Sequence, residues 1–422
     1  MSAENLSKEQ VIELAARYVC PARVNTFKLL GTVSVMARRE GHYFWDMDGR
    51  KLFDVHINGG TYNLGHRNPE IIATLRAALD EYDIGNHHLV SGPRARLAEL
   101  LAKHAPGALR YTVFTASGSE AVEVAIRSAR KATGKHRIIA FAESYHGHGG
   151  LSLRAGGYQK LAAYFLSEGP AGEFILVPFN NLEAMEQALR QPDVAAVISE
   201  MIPATSGFPM PDRNYHAEVK KLCKKHGALY IADEVQTGLG RTGRMWACEG
   251  YGVEPDILIT GKGLSGGIYP IAAAVMTEQA AGWIQEEGWG HSSTFGGSEL
   301  GCLVARKVIE IITRPGLLEN VNCMSEFLRR GLEDIRSRYP FLEEIRQNGL
   351  VMGLRFANPL GGAMMMAASY EAGLWAFVSG FNYAVLQFKP NLLVDQTACE
   401  EALGLLEKAL NIAKSRNPQA VP

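Results

Sequence analysis

The chain has 422 residues, too many for one small core, and its 43 Lys and Arg against 44 Asp and Glu leave a net charge of −1. That length suggests about two or three domains, and so even a balance draws the chain neither to nucleic acid nor to an acidic membrane. Cys20, Cys223, Cys248, Cys302, Cys323 and Cys399 form no CxxC pair and read as reduced thiols of a cytoplasmic protein; the N-terminus lacks a signal-peptide pattern, and no run of roughly 18 apolar residues offers a membrane span.

Ser7 and Gln10 have capping-box spacing ahead of an amphipathic helix over 7–19, which Pro21 stops. Residues 41–54 predict a hairpin with Asp48-Gly49 at its turn. From about residue 70, short apolar strands at 111–115, 137–142, 195–199, 228–233, 256–260 and 271–276 alternate with helices at 119–133, 181–190 and 215–226. Such alternation argues a mostly parallel sheet covered on both faces. Beyond residue 300 the pattern predicts a helix to about 313, another over 317–338, and strands near 349–357 and 382–389. We therefore expect a large domain over 70–310. A smaller α/β domain over 311–422 should pack with the N-terminal segment 1–69. Met364, Met365 and Met366 form the one biased stretch and read as core filler. There is no internal repeat.

Two strand ends carry the chemistry. Lys262 lies in a glycine-rich turn after the 256–260 strand, and Asp233 ends Ala-Leu-Tyr-Ile-Ala-Asp. A lysine amine and a buried acid are what pyridoxal phosphate requires. The amine forms a Schiff base with the cofactor aldehyde, and the acid keeps the pyridine nitrogen protonated so that the ring can accept an electron pair. Ser117, Gly118 and Ser119 open a helix directly after a strand, where unsatisfied N–H groups and the helix dipole favour a phosphate. Ser117 and Glu120 also fit a plain capping box, so capping stands beside phosphate binding. Tyr145, before His146, Gly147 and His148, could stack on a planar ring. The two histidines have no further ligands nearby, and neither do His66, His87 and His88, so no metal is expected. Glu200, another strand-end acid, reads equally as a structural hydrogen-bonder or as part of the site.

Three other signatures fail. Gly238-Leu-Gly240-Arg-Thr-Gly243 fits G-x-G-x-x-G but leaves no room for a crossover helix before Pro255. Gly263-Leu-Ser265-Gly-Gly267 fits a nucleophile elbow, yet a strand rather than a helix follows. Lys262 lacks the following Ser or Thr of a phosphate-binding P-loop.

Taken together, Gly65-His-Arg-Asn-Pro69, Ser117-Gly-Ser-Glu-Ala121, Tyr145-His-Gly147, Asp233-Glu-Val-Gln through Gly243, Gly261-Lys-Gly263 and Ser293-Thr-Phe-Gly-Gly297 resemble the class III pyridoxal-phosphate aminotransferases of fold type I. The resemblance spans nearly the whole chain and implies a seven-stranded, mostly parallel sheet in the large domain. It makes Lys262 the aldimine lysine and proton shuttle and Asp233 the partner of the pyridine nitrogen. Tyr145 and Val235 would sandwich the ring, with His146 and Glu200 close by, and Gln236 would reach the phenolic oxygen. Ser117, Gly118 and Ser119 would hold the phosphate with Thr294 of a neighbouring subunit, in a homodimer that shares its active sites. Small-molecule amino donors and keto or aldehyde acceptors are the implied partners.

Substrate choice follows from the departures. In ornithine- and 4-aminobutyrate-type members a glutamate and an arginine gate recognition of the α-carboxylate; here those positions hold Thr205 and Gln387, and a third arginine position holds His148. An amine, amino sugar or ω/β-amino acid is therefore the expected donor. Arg154 is the candidate to meet the carboxylate of a second substrate. Tyr-His-Gly-His is also similar to glutamate-1-semialdehyde aminomutases, which keeps an aminomutase, racemase or epimerase open as the alternative. Ser298-Glu299 replaces a familiar Asn-Pro, with no consequence legible in the sequence.

Overall fold

The computed structural model describes residues 6–416. Its centre is a seven-stranded sheet in the order Tyr111–Thr115, Ala272–Met276, Ile257–Thr260, Leu229–Asp233, Val194–Glu200, Arg137–Phe141, Phe174–Val177. Ala272–Met276 runs antiparallel to both of its neighbours, and the remaining pairings are parallel. The central strands are buried on both faces, as continuous runs such as Val-Ala-Ala-Val-Ile-Ser-Glu require. All six strands read from the sequence are present to within a residue at either end. The seventh, Phe174–Val177, was not read: it is a four-residue edge strand cut off by Pro178.

The N-terminal region bears out the capping box. The Ser7 hydroxyl accepts from Gln10 N, and the Gln10 side chain reaches back to the Ser7 backbone N–H. Pro21 ends one helix by starting the next, Pro21–Leu29, at a first-turn position that needs no N–H. The 41–54 hairpin gains a third strand, Met36–Glu40, and the parallel partner Leu374–Trp375. Thus the N- and C-terminal segments share a sheet. A further four-stranded sheet, with Val351–Phe356 and Val385–Phe388 at its centre, completes the C-terminal region. Helices Glu299–Ile312 and Leu317–Arg338 match their expected bounds. Helix Gly361–Ala372 was not expected as a helix, but it buries Met365 and Met366 as core. Among the described residues no helix is long and apolar enough to cross a membrane.

Candidate active site

Parallel strands deliver their C-terminal ends to one edge, so side chains far apart in sequence converge there. Glu200 and Asp233 are register partners on adjacent strands, and Lys262 follows the next strand after one glycine. Lys262 has φ 38°, a left-handed conformation that costs a non-glycine residue on the order of 1–3 kcal/mol and clusters at functional sites. Burial lowers the pKa of its amine, against the attraction of Asp233 and Glu200. The Tyr145 ring centroid lies 6.0 Å from the amine.

Asp233 is 5 % exposed, and its Oδ2 lies 2.6 Å from His146 Nδ1 while its Oδ1 accepts from Val235 N at 3.1 Å. The other imidazole nitrogen of His146 is buried without a partner. Glu200 accepts from Tyr145 N (2.8 Å) and Ala204 N (3.3 Å), so it shapes the loops on both sides of the site. Burial raises its carboxyl to about 7, opposed by nearby His146 and reinforced by Asp233.

Ser117 caps helix Gly118–Thr133 through a 3.2 Å bond to Glu120 N, and Glu120 answers at Ala116 N. Its hydroxyl therefore serves the helix. Ser119 Oγ lies 2.7 Å from Ser152 Oγ and accepts from Gly149 N at 2.8 Å. A Cβ at Gly118 would come within 3.2 Å of Val235, and one at Gly147 within 2.5 Å of the Ser119 hydroxyl, so both positions need glycine for close packing.

A cavity of about 690 Å³ opens beside Lys262, and Tyr145, His148, Thr205, Gln236 and Gln387 line it. The three residues singled out for substrate thus share one wall system. The Tyr145, His148 and Tyr158 rings form a cluster with centroid separations of 5.2–5.8 Å. Thr294 is exposed and does not line this cavity. Arg154 also lies elsewhere: it is bound to Glu173 outside the cavity lining, which removes it as the carboxylate partner. Arg23, on helix Pro21–Leu29, is the arginine that does line the cavity.

Several contributors escaped sequence reading. Residues 57–60 form a left-handed run (φ 44° to 103°) against Lys262, and a Cβ at Gly59 would lie 3.5 Å from Lys262 Cε. Asp54 anchors the run through His56 N and Ile57 N and pairs with His66 Nε2 at 2.9 Å. Neighbouring Asn-Gly-Gly is its one sequence signal. Lys389 is fully buried behind Gln236 and Gln387; a lone cation inside the apolar run 385–394 was the signal. Arg241, inside the failed G-x-G-x-x-G, is a clamp: its guanidinium donates to Pro390 O at 2.7 Å and to Leu350 O. Ser298 caps helix Glu299–Ile312, and Glu299 accepts from Asn86 Nδ2 at 2.8 Å, which gives the Ser-Glu departure a structural role.

A desolvated lysine, a buried acid held by a histidine, an anion-suited helix start and a glycine cradle fit pyridoxal phosphate, and the whole defines a fold-type-I pyridoxal-phosphate enzyme. The profile of the class-III aminotransferases matches residues 29–410, and the chain belongs to that family. It is 46 % identical over 409 residues to an uncharacterized aminotransferase of Archaeoglobus fulgidus, covering 97 % of this chain and 96 % of that protein. It is 34 % identical over 381 residues to a putrescine aminotransferase of Pectobacterium atrosepticum, covering 88 % and 80 %. Among solved structures, N-acetylornithine aminotransferase from Stenotrophomonas maltophilia superposes with TM-score 0.80 at 27 % identity, covering 96 % of this chain and 100 % of that one. Ornithine aminotransferase from Toxoplasma gondii, at TM-score 0.88 and 24 % identity over 98 % and 97 % of the two chains, shares the fold. The protein is a pyridoxal-phosphate-dependent aminotransferase that acts on small-molecule amino donors and keto acceptors.

Proposed function

We infer that the donor is a primary amine, amino sugar or ω/β-amino acid and the acceptor a keto acid or aldehyde, in a ping-pong transfer. One observation carries this: Gln387 stands where an α-carboxylate arginine would, and its amide is already engaged. Its Oε1 accepts from Lys389 and its Nε2 donates to Val378 O at 3.4 Å. Thr205, in place of the gating glutamate, carries no charge. A buried carboxylate without a fixed cation is costly, so a donor lacking one suits this wall. The 34 % identical putrescine aminotransferase, named for a diamine, supports the same reading.

Bound pyridoxal phosphate supplies an aldehyde carbon for the donor nitrogen and a ring that delocalises the electron pair left at Cα. In this reading Lys262 Nζ would take the proton from the donor Cα and deliver it to the former aldehyde carbon of the cofactor, its lowered pKa leaving it competent as a base. Asp233 would hold the proton on the ring nitrogen, with His146 orienting the carboxylate. Tyr145 and Val235 would hold the ring between them, and Gln236 would meet its phenolic oxygen. Gly118 and Ser119 would hold the phosphate through the helix start. Arg23, at the cavity mouth, is placed to meet an acceptor carboxylate.

Thr294 would reach the phosphate of a second copy of this chain. Exposed Leu89, Val90 and Trp289, gathered around His88, support such a pairing, since a contiguous apolar patch marks an interaction surface where scattered apolar side chains do not. The test of the donor class is the half-reaction: loss of the cofactor's visible band across putrescine, simple monoamines, β-alanine, ornithine and 4-aminobutyrate. Amines without an α-carboxylate should react fastest. Ornithine, the one donor of the panel with an α-carboxylate, as far the best donor would show that Thr205 and Gln387 have been misread.

A further inference from the structure

Lys389 follows strand Val385–Phe388 and is 0 % exposed. Its amine donates to Gln236 Oε1 at 2.9 Å and to Gln387 Oε1, and stands 5.1 Å over the Phe208 ring. No carboxylate lies within ion-pair distance of it among the described residues. Lys262 and Arg241 repel its charge and Asp54 attracts it, while burial pushes its pKa well below the usual lysine value. Burying an amine in this way costs stability unless its donors are satisfied. Such a lysine calls for a role beyond packing.

Its two partners reveal the role. A charged amine has only donors, and a neutral one keeps two N–H groups, one for each oxygen it meets. Gln387 is fixed at its other end, because Nε2 donates to Val378 O. Gln236 meets Lys389 through its oxygen, so its Nε2 hydrogens are the end that remains for the cavity it lines. The left-handed loop crowds the same side chain: a Cβ at Gly59 would lie 3.8 Å from Gln236 Oε1.

We propose that Lys389 is a positioning residue that fixes the Gln236 amide as a hydrogen-bond donor into the cavity, toward the ring oxygen of the cofactor, and thereby holds that oxygen in its anionic form. The proposal rests on the assignment of Gln236 to that oxygen. With Lys389 removed, Gln236 can turn its own oxygen inward, which disfavours the anion and retains the proton on the Lys262–cofactor linkage.

The experiment is a pH titration of the visible band of the loaded enzyme, with melting of the cofactor-free protein alongside. In K389M an apolar side chain of similar length removes the cost of a buried amine but leaves Gln387 Oε1 without its donor, so the cofactor-free Tm should stay within about 4 °C of wild type. The midpoint at which the yellow band fades should rise by roughly one pH unit, tenfold in the equilibrium. K389R, which keeps donors, should return it toward wild type. K389Q is the second variant: shorter than lysine, it loses the contact and should show the same rise if K389M does not fold. A folded, loaded K389M or K389Q with the wild-type midpoint overturns the proposal, and so does failure of both to fold, which would leave Lys389 a structural residue. Q236L separates the two assignments. A wild-type midpoint in Q236L would show that Gln236 does not meet the ring oxygen, whereas a raised midpoint there with none in K389M would refute Lys389 alone.

Discussion

At the scale of single residues, Asp233 and Glu200 stand side by side at the strand ends that face Lys262. Replacing Asp233 with Ala leaves the ring nitrogen without a counter-charge and should lower kcat by on the order of 10²–10³ in single-turnover kinetics. A near-wild-type rate would remove Asp233 from the mechanism. Glu200 is legible in the pH dependence of stability. Its folded pKa, about 7, lies above the ordinary carboxylate value of 4.5, so its favourable contribution is complete below pH 4.5 and is lost as pH rises to 7. Buried His216, lowered to about 4, acts in the opposite sense by opposing folding in acid. The difference between E200Q and wild type isolates the glutamate. It should move in favour of E200Q by up to about 1.4 kcal/mol per pH unit through that window, then level off. A difference flat from pH 5 to 8 would contradict the assignment. Lys262 and Asp233 were legible because Asp233 ends an apolar strand and Lys262 sits in the glycine-rich turn just after the next. The bonds of Glu200 to Tyr145 N and Ala204 N were not, since both partners lie on loops placed by tertiary packing.

At the scale of elements, the helix start at Ser117–Ser119 divides its work between two hydroxyls. S117A removes a cap and should cost about 0.5–2 kcal/mol in Tm-based stability while leaving cofactor affinity nearly intact. S119A should weaken cofactor retention on dialysis with little change in the melting of the cofactor-free protein. The reverse pattern would exchange their roles. R241M should be costlier than either, on the order of 3 kcal/mol, because buried carbonyls at Leu350 and Pro390 lose a charged donor. The central strands were legible as unbroken apolar runs. Phe174–Val177 was too short to stand out, and the pairing of Leu374–Trp375 with Lys51–Asp54 joins segments more than 300 residues apart, which no local pattern encodes.

At the scale of the whole molecule, the proposed reach of Thr294 to a neighbouring phosphate would need two copies of the chain. Leu89 and Val90, 73 % and 98 % exposed, flank the same surface as Trp289, whose ring meets His88 at a tilt with centroids 5.2 Å apart. An L89D/V90D variant should sediment as a monomer and lose activity, and an active monomer would refute the shared site. Mixing an inactive Lys262 variant with an inactive Thr294 variant of bulkier side chain should restore part of the activity on subunit exchange. The N-terminal loop at 56–61, the strand ends of the large sheet and the C-terminal strand all converge on one small volume that holds two buried lysines, Lys262 and Lys389. Which of them bonds to the cofactor is the most direct question. Borohydride reduction of the loaded enzyme, followed by digestion and mass spectrometry, should place the pyridoxyl mass on the peptide containing Lys262 and leave K262A unlabelled. Label on Lys389, or undiminished label in K262A, would contradict the account.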